Sequence, residues 1–279
     1  MPELPEVETM RRGILEIVGA TISGAQRTPC SKRPIQITPR IDHLNRRVSQ
    51  RTITAIDRLG KRVVVKIDSG DRLIFEPRMT GLVLIADPPT LEHLRFRLLL
   101  ENASVDQVLY WDRRGLGNVT LLSASQYEDK VTNGKLGPDA LAVSRDEFPT
   151  RFQNSKREIK VALLDQKAVL GIGNLYASEI LHLSGIHPQT RCDRITKKRW
   201  NLIFDNMLQV LNTAIKYEGS TLSDGTYRNA LNNSGSYQNE HQVYDREGQT
   251  CPRCPGSQIV RIVQAQRATF FCKRCQKKR

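Results

Sequence analysis

No apolar run in this 279-residue sequence approaches the roughly 18 residues needed to span a bilayer, so no transmembrane helix is expected. The opening MPELPEVETMRR carries glutamates where a secretory signal needs a cationic and then an apolar stretch, so export is not expected either. Internal repeats and low-complexity tracts are missing as well, and with 39% hydrophobic and 26% charged residues the chain is not globally disordered. Cysteine is scarce. Six in a chain of this length, four of them in two close pairs, suit metal ligation better than a disulfide framework. Acidic residues are lacking from residues 251–279, which hold eight basic ones, Arg253, Arg261, Arg267, Lys273, Arg274, Lys277, Lys278 and Arg279.

That last imbalance is part of a wider one. The chain has 43 Lys and Arg against 29 Asp and Glu, a net charge of +14. Such a balance fits either a polyanionic partner or a merely solvated basic surface; its clustering at one end favours phosphate contact, where each neutralised phosphate releases counterions. The length suggests two domains, each able to bury its own core.

Residues 2–18 read as a helix, because Val7, Met10, Ile14 and Ile17 recur at three- and four-residue spacing and Gly19 ends the run. From Thr21 to Leu122 short Val-, Ile- and Leu-rich runs take over, separated by Gly, Pro, Asp and Asn. They include Arg62–Ile67, Arg72–Phe75, Gly81–Ile85, Leu94–Leu100, Gln107–Trp111 and Asn118–Leu122. Asn133–Pro149 reads as a linker. Helical patterns resume over Lys156–Gln166, Leu175–Leu183 after the turn GIGN, and Thr196–Tyr217, whose stripe of Trp200, Ile203, Met207, Val210 and Ala214 reads as core packing. Ser220–Glu240 is polar and rich in Gly, Ser and Asn, which predicts a long mobile loop, either functional or simply disordered.

Cys251 and Cys254 (CPRC) and Cys272 and Cys275 (CKRC) form two CxxC pairs separated by seventeen residues. Four thiolates at that spacing close a tetrahedron around one Zn²⁺. With every position a ligand and none left for water, the ion is structural. Between the pairs, Gln258–Gln264 and Ala268–Phe271 read as strands joined by AQR, with Arg267 near the hairpin tip. Cys30 and Cys192 are isolated and read as ordinary residues.

The amino terminus holds one further possibility. If Met1 is removed, Pro2 exposes a secondary amine, and an α-amino group with a pKa of about 8 is partly neutral and nucleophilic at neutral pH. Condensed with an aldehyde-level carbon, it gives a cationic iminium that acts as an electron sink, and Glu3 and Glu6 are placed to handle protons. Proline at position 2 is common, so alone this indicates little.

Together, MPELPEVETMRRG at the start, LGIGNLYASEILHLSGIHP at 170–188 and AQRATFFCKRCQ at 265–276 resemble the formamidopyrimidine-DNA glycosylase family, bacterial enzymes that remove oxidised purines. KLGPDAL and QVYDREGQTCPRC extend the similarity through the chain. The resemblance implies an α+β fold: an N-terminal helix with a β-sandwich (1–134), a linker (135–150), a helix-two-turn-helix domain with a lesion-recognition loop (151–242) and a zinc ribbon (243–279). It also implies base-excision repair of double-stranded DNA by a cytoplasmic, monomeric enzyme with glycosylase and lyase activities.

Residue by residue, Pro2 matches the nucleophile that attacks C1′ and leaves a Schiff base, after which β,δ-elimination cuts the strand on both sides of the sugar. Glu3 matches the residue that protonates the sugar ring oxygen, and Glu6 lies near the lesion. Lys61 in LGKRVVVK matches a phosphate-binding lysine at a hairpin tip, while Asn174 and Arg267 match the pair that grips the flanking phosphates. Flipping a base out of the stack requires its place to be filled; Met79 and Arg114 match two of the three filling residues, and Leu116 stands where Phe is usual. Other departures are Glu76-Pro77-Arg78 for His-Leu-Gly, and the changed neighbours Arg113 and Gly115. In the lesion loop only Tyr237 finds a match. The start ELPEVET favours the purine enzymes over the sister endonuclease VIII group, whose members begin EGPEI.

Overall fold

The computed structural model describes residues 2–133 and 136–278. The chain divides into two compact units, one made of the chain up to Asn133 with Ile215–Gln238, the other of Gly134–Ala214 with Asn239–Arg279. The expected boundary between residues 134 and 135 lies outside the described residues.

In the first unit, α1 (Leu4–Gly13) is followed by β1 (Thr21–Arg27), β2 (Gln36–Thr38), α2 (Ile41–Val48), β3 (Arg51–Leu59), β4 (Arg62–Ile67), β5 (Arg72–Glu76), β6 (Gly81–Leu84), β7 (Leu94–Glu101), β8 (Gln107–Asp112), β9 (Asn118–Leu122) and α3 (Ala124–Thr132). The nine strands run in the order β2-β9-β5-β4-β3-β1-β7-β8-β6. β1 and β3 pair only through Thr21↔Thr52 and Ile22↔Arg51. Register shifts beside that junction, at Ile22/Gly24 in β1 and Ile53/Ala55 in β3, bend the strands so that the two halves form the layers of a sandwich. Phe75 of one layer meets Phe96 edge-on at 5.9 Å and stacks on Tyr110 at 5.7 Å, both from the other layer. The same core takes in Val7, Met10, Ile14 and Ile17, the apolar stripe of the N-terminal segment.

That segment is shorter as an α-helix than its periodicity suggests. It stops at Gly13 and continues as a 3₁₀ turn over Leu15–Ile17, because Ile14 leaves helical geometry while keeping its side chain in the core. The expected strands form with ends within one residue of the reading, and β1, β2, β3, α2 and α3 are additional. The loop after Tyr217 is packed rather than free, a correction to the mobile segment expected. Ser220, Thr226, Tyr227, Asn229, Ala230 and Tyr237 are buried, and the Ala230 carbonyl accepts from the Ile85 N–H at 3.0 Å.

The second unit contains α4 (Glu147–Thr150), α5 (Ile159–Leu163), α6 (Asn174–Leu183), most of α7 (Lys197–Lys216), and the hairpin β10 (Ile259–Gln264) and β11 (Arg267–Cys272). Trp200 of α7 stacks on Phe152 at 5.5 Å, as its place in the apolar stripe predicts. The helix expected over Lys156–Gln166 is confined to one turn and a half; upstream of it Arg157 and Glu158 instead join the backbone of Cys192 and Arg191.

Candidate active site and nucleic-acid interface

Pro2 is buried immediately before α1, and Glu3 is that helix's N-cap. The Glu3 N–H donates to Glu6 Oε2 at 2.8 Å, so a side chain from the first turn satisfies a helix-end donor and fixes the direction in which the chain enters the helix. The other oxygen of the same carboxylate accepts the Ser220 N–H at 2.9 Å. Glu6 thus holds the amino terminus and the base of the long loop at once. Gly219 makes this approach possible. Its φ of +79° suits glycine, and an added Cβ would lie 2.9 Å from Glu6 Cγ and Oε1. Tyr227 closes the nook by donating its hydroxyl to the Glu218 carbonyl at 2.9 Å; burial and the nearby Glu6 charge push its phenol pKa well up, which keeps it a neutral donor. Tyr237 is also buried, and its N–H reaches the Gly219 carbonyl at 2.9 Å.

Lys61 stands in the Gly60–Lys61 turn between β3 and β4. A cluster that sequence reading did not single out ties that turn to α1. Glu8, 6% exposed, accepts from Arg11 and Arg12 on its own helix and from Arg58 Nε at 3.0 Å. Arg58 then donates to the Gly60 carbonyl at 3.0 Å. Burial alone would raise the Glu8 pKa, but hydrogen bonds from the three guanidiniums outweigh it and bring it down to about 2.

Met79 and Arg114 are exposed and Leu116 is half-buried. Asp112, fully buried, joins their two loops. One carboxylate oxygen accepts the Thr80 hydroxyl and, at 3.1 Å, the Arg114 N–H; the other accepts the Gly117 N–H at 2.8 Å. Thr80 Oγ1 in turn accepts from the Arg114 N–H at 3.0 Å. The arrangement presents a thioether, a guanidinium and a leucine from two tips braced on one buried acid. An apolar side chain on a rigid tip can unstack bases, and an adjacent cation can meet the phosphate or the base edge.

In the second unit, Asn174 is the first residue of α6 and its amide donates to the carbonyl of Ala268, the residue that follows Arg267, at 3.0 Å. Lys160, wholly buried, donates to Asn174 Oδ1 and lies 3.3 Å from the same carbonyl. The sequence offered a faint signal for Lys160, a lysine among the apolar residues Ile159, Ala162 and Leu163. Arg267 itself is exposed at the start of β11, after a two-residue turn in which Ala265 and Gln266 both take positive φ, +46° and +60°. Gln264 anchors the hairpin by donating to Glu158 Oε2 at 2.6 Å.

The four cysteine sulfurs Cys251, Cys254, Cys272 and Cys275 lie within 4.8 Å of one another. A tetrahedral zinc with bonds of about 2.3 Å sets its sulfurs roughly 3.8 Å apart, and Cys251 and Cys275 are already at 4.0 Å. The donor set and its spacing fit one structural Zn²⁺. His182 Nε2 lies 3.4 Å from Cys251 Sγ, and Arg253, inside the first knuckle, donates to the Leu183 carbonyl at 2.8 Å at the end of α6. Glu179 of α6 accepts three successive backbone N–H groups from Gln242, Val243 and Tyr244 at 2.8 to 3.0 Å, and so fixes the chain entering the ribbon.

Among the described residues, no helix is long and apolar enough to cross a membrane. Residues 1–119 match the model of the formamidopyrimidine-DNA glycosylase N-terminal domain, 136–226 that of the formamidopyrimidine-DNA glycosylase H2TH domain, and 248–278 that of the zinc finger found in FPG and IleRS. The formamidopyrimidine-DNA glycosylase of Chloroflexus aurantiacus is 38% identical over 99% of this chain and 98% of its own. A solved complex between Lactococcus lactis Fpg and an abasic site containing DNA superposes with a TM-score of 0.87 at 33% identity, over 99% of this chain and 100% of that one. The wild-type Lactococcus lactis enzyme with an N7-benzyl-Fapy-dG containing DNA gives 0.87 at 34% identity over the same shares. On these matches, the chain belongs to the formamidopyrimidine-DNA glycosylase family.

Proposed function

We propose that this protein is a bifunctional DNA glycosylase and abasic-site lyase of base-excision repair, acting on 8-oxoguanine and formamidopyrimidines in double-stranded DNA as a cytoplasmic monomer. The observation that carries the reading is the nook in which Pro2 is buried beside Glu3, with Glu6 bridging the Glu3 and Ser220 amides. Full-length similarity to a relative named formamidopyrimidine-DNA glycosylase, and to an Fpg solved with abasic site containing DNA, supports it.

In this reading Met1, which lies outside the described residues, is removed and the Pro2 nitrogen is a free secondary amine. Its lone pair bonds to C1′ of the damaged nucleotide while the C1′–N bond breaks, and the departing base takes a proton. Glu3 protonates the ring oxygen as the sugar opens, leaving an iminium between Pro2 and C1′. The iminium draws electrons from C2′; loss of a C2′ proton expels the 3′ phosphate, and a second elimination expels the 5′ phosphate. Lys61, Asn174 and Arg267 hold phosphates around the target sugar and fix the register without reading sequence. Met79, Arg114 and Leu116 fill the space the flipped nucleotide leaves, and Glu6 and Tyr237 border the extruded base. The corresponding division is a catalytic domain (1–134), a linker (135–150), a helix-two-turn-helix domain (151–242) and a zinc ribbon (243–279).

Borohydride reduction with an abasic duplex tests the covalent step. A crosslink located at Pro2 by mass spectrometry is expected, and Pro2→Gly should lose most excision of 8-oxoguanine. Full activity in that variant, or a crosslink elsewhere, would overturn the assignment. Excision from 8-oxoguanine duplexes should exceed that from thymine glycol duplexes, and the cut strand should carry phosphate at both new ends.

A further inference from the structure

The turn between β5 and β6 is built to expose two neighbouring side chains. At one end Pro77 is buried and its carbonyl accepts the Gly81 N–H at 2.8 Å. At the other, Thr80 is 3% exposed and bonded to Asp112. Between these fixed points Arg78 and Met79 face solvent, Arg78 with 56% of its side chain exposed. Arg78 also takes a φ of +49°, in the left-handed region that glycine enters without strain and a long side chain does not. The turn alone gives no reason for arginine there.

Glu76, at the base of the turn, supplies half of a reason. Its carboxylate accepts Arg62 Nε at 3.2 Å and Nη2 at 3.3 Å, accepts Asn118 Nδ2 at 3.3 Å, and lies 3.5 Å from Arg78 Nε. The acid therefore steadies the guanidinium through its inner nitrogen. The two terminal nitrogens of Arg78 have no partner among the described residues. Two guanidiniums share one carboxylate, which leaves the group with a surplus positive charge at an exposed tip. An acceptor of opposite charge is the missing half.

We infer that Arg78 binds a backbone phosphate of the DNA beside the base step entered by Met79, with Glu76 presenting its guanidinium. This inference rests on the glycosylase reading above. A wedge that opens a stack is aided by a fixed charge contact next to it, because the phosphate contact sets the depth and register at which the apolar side chain enters. Arg62, held by the same carboxylate, keeps Glu76 from repelling the strand.

The test is the salt dependence of binding to a duplex carrying a tetrahydrofuran abasic analogue, followed by fluorescence anisotropy for the full-length protein, R78G and R78K. One lost phosphate contact lowers the slope of log affinity against log salt by about 0.9, so R78G should show that drop with several-fold weaker binding at moderate salt. R78K keeps the charge and should keep a slope near the parent's. R78G should melt no lower than the parent, since glycine relieves the positive φ, which separates lost contact from lost fold. A parental slope in R78G, or a drop in R78K equal to that in R78G, would overturn the role of Arg78. Failure of the parent protein itself to bind the duplex in a salt-dependent manner would sink the glycosylase reading along with it, a result visible before any variant is compared.

Discussion

Lys160 and Asn174 converge on one acceptor, the Ala268 carbonyl, at 3.3 and 3.0 Å, while the lysine also donates to the asparagine's own oxygen. This triangle sets the Asn174 amide the right way round, with its oxygen toward the ammonium and its nitrogen toward the hairpin. Lys160→Met removes the cation and takes from the half-buried Asn174 Oδ1 its lysine donor, while the Ala268 carbonyl keeps the Asn174 amide; the loss costs on the order of 1–3 kcal/mol. The variant should melt earlier in urea and bind an abasic duplex about tenfold more weakly, a loss equivalent to about 1.4 kcal/mol. Unchanged affinity in a folded K160M would show that the triangle does not position Asn174 for phosphate.

The Glu8 cluster predicts a specific acid sensitivity. The folded carboxyl titrates at about 2 against an ordinary value of 4.5, so the folded state holds fewer protons than the unfolded chain between those values. The stabilisation is complete above about pH 4.5 and is lost as pH falls toward 2, amounting to on the order of 3 kcal/mol in full. Glu8→Gln should flatten the fall in stability over that window, measured by urea melts at successive pH values. Because Arg58 also holds the Gly60 carbonyl, the same variant should loosen the Lys61 turn and weaken duplex binding at neutral pH. An acid profile that stays parallel to the parent's would place the titration elsewhere.

Asp112 gives a sharper chemical prediction. Its carboxylate accepts at both oxygens, from Thr80 and Arg114 on one side and from Gly117 on the other. Asparagine keeps the shape but turns one acceptor into a donor, so an N–H must face the Thr80 and Arg114 donors or the Gly117 donor. Asp112→Asn should cost about 1–3 kcal/mol and release both the Met79 and Arg114 tips. Base flipping, read by 2-aminopurine fluorescence opposite or beside the lesion, should fall more than binding of undamaged duplex. Equal losses in the two assays would mean the acid supports the fold and not the tips.

Much of the candidate site was legible because its residues lie close together in sequence. Two CxxC pairs carry their own spacing, the strands around Arg62–Ile67 and Asn118–Leu122 declare themselves by burial-driven composition, and Pro2 and Glu3 are adjacent. What escaped was long-range. Asp112 meets Thr80 across thirty-two positions and Lys160 meets Ala268 across one hundred and eight, and nothing in either neighbourhood marks the partner. The loop after Tyr217 misled for a related reason. Its Gly, Ser and Asn content is what an irregular packed segment needs to bond its own backbone, and the same content reads as mobility when the partners are not visible.

Gly219 tests whether that packed loop shapes the nook. An alanine there must adopt a φ of +79° and place its Cβ 2.9 Å from Glu6 Cγ and Oε1 and 3.1 Å from Tyr227. The Glu6 carboxylate is held on both oxygens, so it can yield only by giving up the Ser220 or the Glu3 amide. Gly219→Ala should therefore destabilise the protein by about 1–3 kcal/mol from strain at the positive φ and should reduce borohydride trapping at Pro2. Gly225, also at positive φ (+61°) but with nothing within 4 Å of an added Cβ, is the control. Gly225→Ala carries the backbone strain without the contact, so it should lose stability yet keep trapping. If the two variants lose trapping alike, the loop acts through its backbone conformation and not through its hold on Glu6.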